Sequence, residues 1–508
     1  MARGEMQHVE LDEESAGVVA PRSPTTRRRR RWVAAAAGAA LAVLAVQLVA
    51  DARERAVVAR LAEVPGVLAP VDESLPVAWR SDSVGDLIWY QIATHGAVVG
   101  PVVDADGSQR LVAHDLATGK VRWSTELYGP DPVRAEAEAD LGASPPTCVT
   151  TDDAEDPDRV ACLATDGFVR FRDSGAMQVP ASATFVRVVD TADGRVVAQW
   201  PASGTTLAVV GDVAVLASYS DSYGAVILDA RDLLTGEPRW TAQVAAPTEV
   251  VADRTTDWPP DVYRVADLLA CTGFSGHPAL IDADGQPVNP QLGDAADADV
   301  PGHFYVENAT GRLVFSDWSN GSSYGTGATV LDGDRPRYTL PGTPYVPTVD
   351  DGSVNDLLLF SAWGAGPTDG VLLNGADAET GTRRWSSDLE VSTDNPAAMI
   401  LRGRAFVTTR EGLAAVDGRS GRTLWSLDAP EGRTFGSPMT DGRYVLVLSV
   451  GSDEGTASEL HALDPGSGEQ VWRRTLPSGV DFAYPIGDAL LGIDVDGQGA
   501  LREVVRLG

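Results

Sequence analysis

The chain has 508 residues, 44% of them apolar, with 52 Gly and 32 Pro; that length suits two or three ordinary domains or one large repeat domain with tails, and that composition excludes wholesale disorder and a polytopic membrane protein. Forty basic residues against 72 acidic ones leave a formal charge of −32, a field that repels phosphate backbones and excludes nucleic acid as a partner.

Residues 1–31 are polar, carry no hydrophobic period and end in a run of five arginines from Arg27 to Arg31, the pattern of a disordered cytoplasmic tail. Residues 32–50 follow without a charge; at a rise of ~1.5 Å each they reach about 29 Å, close to the hydrocarbon thickness of a bilayer, and are predicted as one transmembrane helix. Many are alanines, which partition weakly, so the Leu and Val residues from Leu41 to Val49 carry the apolar character. By the positive-inside rule the arginines hold the tail in the cytoplasm and send everything after Asp51 across the cell membrane. A cleaved signal peptide is the alternative, against which stand the length of the polar leader and of the apolar run. Residues 51–74 read as a juxtamembrane helix and linker, with Val57, Val58, Leu61 and Val64 at helical spacing before Pro65.

Residues 75–508 carry a repeat: Asp, two residues, Thr or Ser, Gly, three residues, Trp. It occurs at Asp115 to Trp123, Asp232 to Trp240, Asp377 to Trp385, Asp417 to Trp425 and Asp464 to Trp472, with a looser copy from Asp190 to Trp200. An alternating apolar segment precedes each, so the motif predicts a hairpin: Asp and Thr or Ser bond the turn backbone, Gly supplies a positive φ, and the returning strand delivers Trp. Trp200 to Trp240 and Trp385 to Trp425 are 40 residues apart, and Trp425 to Trp472 are 47 apart. The 145 residues from Trp240 to Trp385 hold two worn copies, HPALIDADGQPVN at 277–289 and GATVLDGDRPRYTL at 327–340, the second with Tyr338 in place of Trp. Residues 123–200 form one unit with acidic insertions at 128–142 and 152–158.

The turns DLATGKVRW, DAETGTRRW, DGRSGRTLW and DPGSGEQVW resemble the PQQ-like, quinoprotein-type β-propeller repeat, a family that includes quinoprotein alcohol dehydrogenases, the lipoprotein of the outer-membrane barrel assembly machinery and many exported proteins. The resemblance implies an all-β fold with eight blades, seven being the alternative, and Trp123, Trp200, Trp240, Trp385, Trp425 and Trp472 packing blade against blade. Eight turn units plus a C-terminal one, completed by residues 76–81 with Trp79, make nine; the usual range of four to eight blades favours eight.

The quinoprotein enzymes hold their cofactor with a catalytic Asp, a calcium site and commonly two adjacent cysteines. This chain has no adjacent pair, so the family's catalytic residues do not carry over, and no cofactor, metal or catalytic residue is expected. Cys148 and Cys162 flank an acidic turn and are candidates for a disulfide across two strands in an oxidising compartment, or else two buried thiols; Cys271 sits in an apolar strand as inert core. Gly321 to Gly325 match the nucleophile elbow but lack its strand–helix context. Asp494, Asp496 and Glu503 fit a calcium loop only loosely, and Asp104 to Gly107 and Asp282 to Gly285 read as hairpin turns. Six scattered histidines form no zinc signature. Trp89, Trp258, Trp318 and Trp363 lie outside the repeat and are either core or exposed contact residues. The expected function is a non-catalytic, extracytoplasmic interaction platform with a protein partner, in envelope assembly; a quinone-dependent redox enzyme and a ligand sensor are the alternatives.

Overall fold

Each repeat folds as an antiparallel meander of four strands, here A to D from the axis outward. The computed structural model describes residues 45–49, 52–81, 92–138, 142–152, 156–172, 175–220, 225–245, 259–272, 278–288, 302–307, 310–317, 327–364, 370–392, 396–451, 456–495 and 501–508. The chain divides into two units, residues 1–57 and 58–508. In the first, residues 45–49 and 52–57 are helical.

The second unit is a nine-bladed β-propeller, not the eight- or seven-bladed one expected. Blades 1 to 8 lie within residues 92–128, 148–201, 206–245, 261–288, 302–340, 343–390, 398–428 and 433–475; blade 9 combines residues 482–507 with Val77–Ser81. The blades that hold the worn copies of 277–289 and 327–340, at 261–288 and 302–340, are complete four-stranded sheets although their turns have lost the motif. Blade 9 closes the ring: Val77 pairs with Leu507 and Ser81 with Val504, so the first strand of the propeller becomes strand D of the last blade. Each of the eight turn units and the shared C-terminal unit forms a blade of its own, so the expected eight, set by the usual range of blade number, falls one short.

The expected transmembrane helix is also corrected. Among the described residues no helix is long and apolar enough to cross a membrane. Of residues 32–50 only 45–49, which are helical, are among the described residues, and the rest of the expected span lies outside them.

Inner strands are buried on both faces because each blade is sandwiched between two others: all of Ala398–Leu401 and the run Val445–Leu448 are buried. Outer strands face solvent and alternate, as in Val121–Tyr128. The repeat motif joins the blades. Asp115 accepts bonds from the backbone N–H and hydroxyl of Thr118 (2.8 and 2.9 Å), and Gly119 N–H bonds back to Asp115 C=O (2.8 Å) with φ +69°. Asp232, Asp377, Asp417 and Asp464 repeat the pattern. The indole of one blade lies on the turn Gly of the next, where a Cβ would meet the ring at 2.5 to 2.6 Å for Trp79 on Gly119, Trp123 on Gly194, Trp200 on Gly236, Trp240 on Gly285 and Trp425 on Gly468, and at 2.4 Å for Trp385 on Gly421. Tyr338 lies on Gly381 in the same way. Each Nε1–H also donates to a carbonyl of that turn: Trp79 to Leu116, Trp123 to Thr191, Trp200 to Leu233 and Trp385 to Gly418, all at 3.0 Å. Tyr338 substitutes its hydroxyl, 2.6 Å from Ala378 O.

Candidate functional site

In a four-stranded meander the A–B and C–D turns share one end of the propeller, and the B–C turns and blade-to-blade connections share the other. Two of the chain's own segments lie against the first end at blades 7 to 9. Residues 348–351 run parallel to strand A of blade 7, with Thr348 N–H on Ala398 O (2.9 Å) and Ile400 N–H on Val349 O (2.8 Å). Residues 61–75 cross blades 8 and 9: Leu68 N–H donates to Thr440 O (2.8 Å) and Ala69 N–H to Asp488 O (2.7 Å). Leu68, Val71 and Leu75 enter the core formed with Met439, Leu446, Leu460 and Trp472. Gly66 is required here, since its φ is +81° and a Cβ would stand 2.6 Å from Thr348 O.

Above Pro65, Gly66, Thr348 and Val349 a cavity of about 800 Å³ lies among the inner strands of blades 7 to 9 and reaches the B–C turn at Thr409 to Gly412. Its wall is largely apolar, from Phe435, Met439, Leu448, Val450, Phe482 and Tyr484. Strand A of blade 8 is broken there: Arg433–Phe435 and Met439–Thr440 both pair with Val445–Gly451, and Gly436, Ser437 and Pro438 intervene. Arg433 is anchored, donating to Ser449 O (3.2 Å) and Ala457 O (2.8 Å), with Glu459 3.7 Å away. Behind the wall His461 bridges Gln470 and Ser449, each at 3.0 Å, and burial holds its imidazole below the ordinary pKa. Burial also pushes the Tyr484 phenol up.

Blades 4 and 5 add a polar cluster on their A strands. Tyr263 stacks on His303 at 4.8 Å and shares a hydrogen bond with its Nδ1 (3.1 Å). Burial pushes Tyr263 up to about 12 and raises the Asp261 carboxyl, and it holds His303 low against the opposing pull of Asp261. Among the described residues no group of three or more His, Cys, Asp or Glu side chains is placed to hold a metal ion.

The residues singled out in the sequence lie elsewhere. Trp123, Trp200, Trp240, Trp385 and Trp425 sit at blade junctions, and Trp472 packs between blades 8 and 9 with Tyr444 edge-on at 6.4 Å. Cys148 and Cys162 face each other across strands A and B of blade 2 and are joined by a disulfide. Cys271 is buried in blade 4, where burial pushes its thiol up to about 12. Part of the 128–142 insertion is the helix Pro132–Glu138; its buried Arg134 lies over the Phe168 ring (4.8 Å) of an extra hairpin in blade 2, and Ala137, Ala143 and Phe168 form a satellite core. Trp363 is 66% exposed. Trp89, Trp258, Trp318, residues 321–325 and Asp496 lie outside the described residues, and Glu503 pairs with Arg80. Asp104 to Gly107 and Asp282 to Gly285 are hairpin turns with bonds of 2.8 and 3.0 Å. The cavity residues escaped sequence reading because they lie on strands A and B of separate blades; the long run between Pro344 and Leu357 was the available signal.

Nine radial sheets, a Velcro-closed last blade and indoles seated on turn glycines define a PQQ-like β-propeller protein. A family model described as outer membrane protein assembly factor BamB matches residues 79–326 and 368–483, and the chain belongs to that family. Similar solved structures include BamB from Moraxella catarrhalis, 15% identical over 85% of this chain and 99% of that one with a TM-score of 0.39. A europium-containing methanol dehydrogenase is 13% identical over 87% and 92%, TM-score 0.38. The quinohemoprotein alcohol dehydrogenase from Comamonas testosteroni is 14% identical over 86% and 76%, TM-score 0.37. No curated protein matches the chain.

Proposed function

We propose that this propeller is a non-catalytic interaction platform of the extracytoplasmic envelope, engaging a protein partner through the open end of its axial channel. The observation that carries the reading is the cavity of about 800 Å³, floored by the protein's own segments and walled by apolar side chains on rigid inner strands. Such a site binds by shape and burial. The family's description as an assembly factor supports a role in holding partners together, and the Cys148–Cys162 disulfide suits an oxidising compartment.

The test is site-specific photo-crosslinking in intact cells, with the probe at Tyr484 or Arg410 on the cavity and at Val121 on an outer strand as control. Protein adducts are expected at the first two positions. Equal labelling at all three, or turnover by the purified protein supplied with quinone and calcium, would overturn the proposal.

A further inference from the structure

The inner edge of blade 8 has backbone groups turned to the channel. Gly436 N–H donates to Leu448 O (2.8 Å), so the Phe435 C=O of the same peptide unit turns away from strand B, and Phe435, which stands across from Ser449 between the paired Thr434 and Gly436, turns its N–H and C=O to the axis. The Ser449 carbonyl, opposite Phe435, accepts instead from Arg433 (3.2 Å). Lower in the same channel, residues 348–351 run along Ala398 to Ile400 on the inner edge of blade 7, Leu68 N–H meets Thr440 O at the end of strand A of blade 8, and Ala69 N–H meets Asp488 O in the A–B turn of blade 9. Pro65, Gly66, Thr348 and Val349 of those segments form the floor of the cavity beside Phe435 and Ser437. The edge contacts that residues 348–351 make on blade 7 and Leu68 makes on blade 8 thus lie next to the open edge.

We propose that an extended peptide from a partner adds to the inner edge at Phe435 and seats an apolar side chain in the cavity against Leu448, Val450, Phe482 and Tyr484. Main-chain bonds supply affinity and the cavity selects alternate side chains, as in strand addition elsewhere. The formal charge of −32 favours basic residues flanking the apolar segment. This rests on the platform reading and specifies what the platform holds.

The experiment is fluorescence anisotropy of the full chain with fluorescein-labelled octapeptides that alternate Leu, Val or Phe with Thr between terminal Lys residues, each compared with an analogue N-methylated at alternate backbone nitrogens. Gly436→Leu adds bulk beside the edge at a position where a Cβ meets only Leu448, at 3.7 and 3.9 Å; Tyr484→Ala opens the opposite wall. Binding by the wild type, weakened about tenfold or more by N-methylation and by Gly436→Leu, is expected, with a smaller loss for Tyr484→Ala. Absence of binding across the panel, equal affinity of the N-methylated analogues, or undiminished binding to a folded Gly436→Leu protein would overturn it. Crosslinked partners unchanged by Gly436→Leu would overturn the channel peptide alone, whereas a wild-type protein yielding no crosslinked partner would overturn the platform itself.

Discussion

At the scale of the residue, the Trp–Gly contact is the unit of assembly, and it is reciprocal. The indole needs a bare backbone to lie on, and the turn needs positive φ, so one glycine meets both demands. Trp200→Ala empties a buried site and leaves the Leu233 carbonyl without its donor; a loss of about 3–5 kcal/mol is expected in chemical denaturation. Gly236→Ala is expected to be destabilising as well, because its Cβ would stand 2.5 Å from Trp200, and the Trp200→Ala, Gly236→Ala double variant should cost less than the sum of the two. The cysteines differ by environment. Removing the Cys148–Cys162 disulfide as the double alanine variant opens a loop of roughly 15 residues and should cost about 3 kcal/mol, read as a lower thermal midpoint. Cys271, buried and with its thiol pushed up to about 12, should not react with Ellman's reagent until the protein unfolds.

At the scale of the element, closure depends on Val77–Ser81. Four residues of that strand pair with the C-terminal strand, Trp79 roofs the Gly119 turn of blade 1, and Arg506 reaches Leu116 O (2.5 Å). The ring is thus closed by one strand, paired to Leu501–Leu507 and packed on the Gly119 turn of blade 1, with no covalent link among the described residues. Deleting residues 1–81 would bare the edge of Leu501–Leu507 and remove the segment that floors the channel. Size-exclusion chromatography should then show association through the open edge; a monomer with an unchanged thermal midpoint would contradict this account of closure. The axial cavity belongs to this scale too, because it exists only where segments 61–75 and 345–354 stop short of filling the space between inner strands.

At the scale of the whole molecule, charge and burial set the response to pH and salt. His114, His303 and His461 are held low by burial, so below their ordinary pKa of about 6.5 the unfolded chain binds protons that the folded one refuses. Stability should therefore be fullest above that value and fall as pH drops from 7 to 5. A second loss is expected on further acidification, where turn carboxylates protonate. Arg239 holds Asp232 well below the usual range, Arg122 does so for Asp115, and Arg384 does so for Asp377; their contribution is present above about pH 3.8 and disappears as pH falls through the depressed values. Thermal melts from pH 8 to 1 would check both steps. With a formal charge of −32, added sodium chloride should raise the midpoint by screening self-repulsion, and an insensitive midpoint would show that the repulsion is already balanced locally.

How much was legible in the sequence follows from the range over which each feature acts. The hairpin turn, its Asp and Thr or Ser bonds and its positive-φ Gly are contained within nine residues, and their recurrence carried the propeller, its repeat length, the place of Trp79 in the last blade and the family. Blade number is a property of the ring: whether the copies at 277–289 and 327–340, with their worn turns, become full sheets depends on neighbours that cover both their faces, and no local signal reports that. The cavity lay further out of reach. Its wall brings Phe435, Leu448 and Tyr484 together from blades 8 and 9, its floor joins Thr348 and Val349 of blade 6 to residues 65 and 66 near the start of the propeller unit, and its open backbone edge exists because a ladder alternates between pairing inward and outward. Local chemistry therefore determined the repeating unit from the sequence alone, whereas long-range closure and the register of inner strands, which only the tertiary structure decides, made a site out of it.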